Sequence, residues 1–115
     1  MLNPSSKVVN RTPHDINVVL ANGSTVVYPR PATQEEIARV TVSKTEVGTL
    51  ANGVTVWRAV YGDVNGLPAP EDGVLHIVSM MVRNALPHRL DLLSPADLMR
   101  DAAGQPIGTN GFLCS

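Results

Sequence analysis

The chain has 115 residues, 43% of them apolar and 17% charged, with a formal net charge of −1. That length supports one modest core, so residues 1–115 read as a single domain, and high apolar content with low charge excludes a disordered chain. The near-neutral balance also excludes bulk nucleic acid as a partner, because duplex affinity comes from a basic excess that displaces counterions.

The opening MLNPSSKVVN lacks the apolar stretch of a signal peptide, and no run reaches the length of a transmembrane helix. The expectation is a cytoplasmic protein without a membrane partner. Next comes NRTPHD, Asn10 to Asp15, which is turn chemistry: Pro13 fixes φ, and Thr12 or Asp15 can bond nearby backbone. The same turn would place Arg11, Thr12 and His14 beside a ligand.

DINVVLANGSTVVYPR reads as a hairpin. Asn22-Gly23 predicts a two-residue type I′ turn between β-branched runs, and Pro29 and Pro31 stop the second strand. ARVTVSKTEVGTLANGVTVWRAVYG predicts a second hairpin with Asn52-Gly53 at its turn. The phrase LANG occurs in both and reads as one local solution used twice rather than a duplication. Val40 and Val42 alternate with Arg39, Thr41 and Ser43, and Trp57, Ala59 and Tyr61 alternate with Val56, Arg58 and Val60. This predicts an antiparallel sheet with one core face and one solvated face.

GDVNGLPAPEDG is a loop by composition. Val74 to Val78, VLHIV, reads as a buried strand. Ser79 then stands as an N-cap before a helix over Met80 to Leu86, which Pro87 ends. SPADLMR predicts a second helical turn, with Ser94 as cap and Pro95 at the first helical position. LMRDAAGQPIGTNGF predicts a third hairpin with Gly104 near its tip. The fold class is α+β, a mostly antiparallel β-sheet of hairpins with one or two short helices.

Enzymatic signatures are sparse. The chain has no glycine-rich phosphate loop, no nucleophile elbow and no paired histidines at helical spacing. It implies neither a cofactor nor a metal and offers no catalytic set. Its single cysteine, Cys114, cannot form an internal disulfide and sits next to the last residue, a poor place for a nucleophile.

The strongest binding lead is the strand-to-helix junction, because a helix N-terminus presents free N–H groups to an anion. Ser79 would donate its hydroxyl, Arg83 lies one turn on, Arg89 suits bidentate phosphate contact, and Asp91 would accept from a ribose hydroxyl or a base. Each also has a plain structural role: Ser79 as cap, Arg83 in solvent, Arg89 paired with Asp91, and His76 as a satisfied strand histidine. Few charges and few aromatics among many aliphatic residues also point to an apolar face covered by a second subunit, hence a homo-oligomer.

NRTPHDINVV, YGDVNGLPAPEDGVLHIVS and RLDLLSPADLMRDAAGQPIG together resemble a set of small proteins encoded by tailed phages, prophages and some bacteria. Gly-Leu-Pro-x-Pro at Gly66–Pro70, followed by Ile77-Val78-Ser79, is the strongest motif, and the resemblance covers most of the chain. It implies a phage or prophage origin and an intracellular role, and it carries over no activity and no catalytic residue. One class of small phage protein sequesters nucleotide immune signals between its subunits. By that analogy the expected function is non-enzymatic binding of a small anionic ligand such as a nucleotide. Two rivals stand beside it: a protein–protein module that inhibits a host enzyme or assists phage assembly, and a small nucleotide hydrolase or lyase with His14 or His76 as base.

Overall fold

The computed structural model describes residues 5–115. Its centre is the segment VLHI, strand β6 (Val74–Ile77), flanked on both sides by parallel strands. β1 (Lys7–Asn10) lies on one side, with Val9 opposite His76, and β7 (Leu92–Pro95) on the other, with Leu92 opposite His76. β10 (Phe112–Leu113) closes this sheet antiparallel to β7. A strand enclosed in this way is apolar on both faces, which is why VLHIV runs on without alternating.

α1 (Met80–Ala85) makes the crossover from β6 to β7. Ser79 caps it, accepting a hydrogen bond from the Val82 amide at 3.2 Å, and the helix stops one residue before the expected Leu86. Val82 is the buried residue of α1, and Val78, just before the cap, and Leu86, just after the last turn, pack beside it. Val78 and Val82 join Ala38 and Leu92 in the core, with Val40, Val64, Leu67 and Leu86 packed around them. Each fully buried aliphatic side chain here contributes about 1.5–3 kcal/mol. Gly66, at φ +82°, lets its segment cross close to Ile37, where a Cβ would meet the Ile37 carbonyl oxygen at 2.1 Å.

A second sheet has the order β3 (Thr25–Tyr28), β2 (Ile16–Val19), β9 (Pro106–Thr109), β8 (Leu98–Arg100). Asn10 ties it to the first sheet: its amide donates to the carbonyls of His14 and Tyr28, both at 2.8 Å. Tyr28 and Phe112 meet edge-to-face with ring centroids 5.7 Å apart. The third unit is a two-stranded arm, β4 (Arg39–Thr49) paired with β5 (Thr55–Asn65), preceded by a single 3-10 turn at Gln34–Glu36.

The α+β class therefore holds, with mostly strands and one short α-helix, and four expectations are corrected. The sheets are mixed rather than purely antiparallel hairpins: among the described residues four pairs are antiparallel, while β1–β6, β6–β7 and β2–β9 are parallel. SPADLMR forms no second helix but belongs to β7 and β8, because its backbone donors are taken up across the chain, with Ala96 N–H bonding Gly111 and Asp97 N–H bonding the Asn110 side chain.

The hairpin turn is not type I′. That turn needs positive φ at both central residues, and among the described residues only glycines have it. Instead Gly23 and Gly53 stand at φ +87° and +90°, each donating its N–H to the carbonyl three residues back, which is a type I turn followed by a left-handed glycine. The Gly104 turn is built the same way. Finally, the expected core face of β4 and β5 is uncovered: beyond Val40 and Val64 the arm projects into solvent.

Candidate functional site

The predicted binding residues do not converge: Ser79, Arg11 and the Arg89–Asp91 pair line three separate depressions. Ser79 lines a cleft of about 560 Å³ with Pro13, Ile37, Ala38, Arg39, Val40, Met81 and Val82. The turn after β1 and the start of α1 thus meet, because Arg11 bridges them: its N–H bonds the Ile77 carbonyl at 2.8 Å and its carbonyl accepts from Ala38 at 2.9 Å. The cleft is mostly apolar, holds one guanidinium and one hydroxyl, and has no carboxylate in its lining. It is an open depression rather than an enclosed cavity. The Ser79 hydroxyl accepts from Val82 and keeps its own proton to donate. The Val82 and Arg83 amides are taken by Ser79, which leaves those of Met80 and Met81 as the open donors of the first turn.

Arg39 was not singled out by sequence reasoning, which placed it on the outward face of a strand. Its guanidinium donates to the Gln34 side chain and, among the described residues, pairs with no carboxylate. The signal would have been its position beside Ile37-Ala38, a short apolar step into the core. A neighbouring depression shares Pro13 and Ile37 as its wall and carries Arg30.

Thr12 is buried, and its hydroxyl donates to Asn10 Oδ1 at 2.7 Å, so it shapes the turn from inside. His14 is exposed on that turn. Arg11 lies in a separate groove of about 430 Å³ with Lys7, Tyr28 and Glu36. Its Nε donates to His76 Nδ1 at 3.2 Å.

Arg83 reaches the other way, its Nε bonded at 2.8 Å to Ser94 Oγ, which is fully buried. Arg89 and Asp91 form a bidentate pair at 2.8 and 2.6 Å, both largely buried, in a depression shared with His88 and Glu71. The hydrogen bonds from Arg89 hold the Asp91 carboxyl below the usual carboxylate range. Arg89 is correspondingly held in its charged form.

His76 is 1% exposed. Burial and the Arg11 charge push its pKa down, against the opposing pull of Asp91. Because Nδ1 accepts from Arg11, the neutral ring carries its proton on Nε2, which stands 4.0 Å from Asp91 Oδ2, beyond hydrogen-bond reach. Among the described residues, Nε2 is the one buried side-chain polar atom without a partner. None of these depressions is lined by two histidines. Among the described residues no three His, Cys, Asp or Glu side chains stand close enough to hold a metal ion, and no helix is long and apolar enough to cross a membrane.

No protein-family model, no curated protein and no solved structure matches this chain.

Proposed function

We propose that this chain is a non-enzymatic, phage- or prophage-encoded protein, a homo-oligomer that binds a small anionic ligand of the nucleotide type and sequesters it. The observation that supports this reading is the acid-free cleft between the Thr12-Pro13 turn and Ser79. Its apolar floor suits a flat ring. Arg39, paired with no carboxylate among the described residues, suits a phosphate, and the Ser79 hydroxyl and the Met81 amide supply further donors. Arg30, across the Pro13–Ile37 wall, offers a second charge. The Arg89–Asp91 pair is already satisfied, so Arg89 acts here as a structural partner rather than a free cation.

A thermal-shift screen with cyclic dinucleotides, ADP-ribose derivatives and NAD tests it. Ligand at 100 times its Kd adds about 2.7 kcal/mol, a rise on the order of 10 °C for a domain of this size. Arg39→Ala is expected to weaken binding about tenfold or more, since a charge-assisted hydrogen bond contributes roughly 1.5–3 kcal/mol. No stabilisation of folded protein by any of these ligands overturns the reading.

A further inference from the structure

The β4–β5 arm carries eight large apolar side chains more than a third exposed, among them Val47, Leu50, Val54, Val56, Trp57 and Val60. They occupy both faces of the ribbon. Trp57 lies opposite Glu46, and Tyr61 opposite Val42, on one face; Val60 lies opposite Ser43, and Arg58 opposite Thr45, on the other. The outer edge of each strand is also unpaired. A lone two-stranded hairpin is marginal in water, and stable ones pack a face on something else. This one packs only its root, around Val40 and Val64, against the core.

The dimensions measure what is missing. The chain exposes 7814 Å², where a monomeric protein of 12.2 kDa exposes about 6,000 Å². The excess, roughly 1,800 Å², is the share each subunit gives to a large, obligate interface. The radius of gyration is 16.9 Å, against about 13 Å for a compact chain of this length. We infer that the arm is the subunit interface: it lies against a second copy of this chain. This rests on the oligomeric part of the reading above and is independent of the ligand.

Charge favours a second copy over other occupants. The arm holds Arg39, Lys44 and Arg58 with Glu46 and Asp63, mixed in sign along its length. It is neither a basic surface for nucleic acid or lipid nor an acidic one for a basic peptide. Lys44 is folded over the Trp57 ring, 4.3 Å from its centroid, so its ammonium is already engaged. A mixed, apolar strip can meet itself across a two-fold axis, as an isologous contact requires. A second copy is also the one partner present wherever the chain folds, and an arm this bare needs its cover at that moment.

Native mass spectrometry and sedimentation test the assembly, and the single Trp57 reports on the arm. The full chain is expected at twice 12.2 kDa or a higher multiple, with Trp57 emission shifted to the blue and shielded from iodide. Val60→Asp and, on the other face, Trp57→Lys are each expected to reduce it to one chain with an unchanged far-UV spectrum. A wild-type mass of one chain at every concentration overturns the inference together with the oligomeric part of the proposed function, and leaves the arm to a different protein. An assembled wild type in which iodide quenches Trp57 as freely as it quenches free tryptophan, or in which both variants keep the wild-type mass, overturns the arm as interface alone. The quenching is read on unmodified protein, so it decides even where a variant does not fold.

Discussion

The four residues of β6 have a parallel strand on each side and α1 following them, and His76 and Ile77 are sealed from solvent. The two eleven-residue strands of the arm have only each other, and only Val40, Thr55 and Val64 are even half-buried. Both regions are rich in aliphatic residues and both form strands. Local pattern makes a strand; cover comes from what the chain does next. After β6 it turns through a helix and returns as a parallel neighbour. After β4 it turns through Gly53 and pairs only with itself.

The largest expected effect separates the two regions directly. Leu92, fully buried in β7, loses about 2–5 kcal/mol on substitution by alanine, through lost transfer energy and the cavity left behind. Urea unfolding should give that loss at every protein concentration. Val54→Ala, at a site 52% exposed, should change the stability of the isolated chain by less than about 0.5 kcal/mol. Its effect should appear only where copies associate, so it varies with concentration. Equal losses for the two variants in dilute protein would break the distinction between body and arm.

The local signals survived into the structure. Ser79 caps α1, glycine sits at the turn of all three hairpins, and Arg89 finds Asp91 two residues away. What was not legible depends on segments far apart. β1 pairs with β6 because Val9 and His76 meet across most of the chain, and nothing in either four-residue run specifies a parallel neighbour. Ser94 reads as a helix cap until β10 and Arg83 claim it. The cleft escaped for the same reason. Pro13, Arg39 and Ser79 come from three separate stretches, and Arg39 gains its setting only when Ala38 docks on Arg11. The exposure of the arm was hidden because alternation implies a covered face without saying that the same chain must supply the cover.

A middle-sized effect probes the edge of the body. Asp91→Asn removes the charge that Arg89 grips with two hydrogen bonds, and both side chains are less than 15% exposed. Hydrogen bonds to a charged group contribute roughly 1.5–3 kcal/mol, and here the guanidinium is also left behind unneutralised. A loss of that order in chemical unfolding is expected, and a double-mutant cycle with Arg89→Met should recover part of it. Removal of Lys44, whose ammonium rests on an exposed ring, should cost less, about 0.5–1 kcal/mol. A negligible Asp91→Asn effect would place this pair with the surface rather than the body.

A pH slope also belongs to the body. Burial and Arg11 hold the folded-state pKa of His76 below its ordinary value of about 6.5. The unfolded chain therefore takes up a proton that the folded chain refuses. Stability should be full above that value and decline as pH falls below it, by at most about 1.4 kcal/mol per pH unit for one proton. The Asp91 carboxyl is also depressed, but its contribution is lost only in the lower carboxylate range, so the two windows separate. His76→Asn keeps an acceptor for Arg11 without an imidazole to protonate, and should flatten the slope that sets in below about pH 6.5. Asp91→Asn should extend that slope to lower pH, because the Asp91 charge is what favours the protonated ring. His14 and His88 are both exposed. If the slope persists in His76→Asn, the buried ring beside Arg11 plays no part in it.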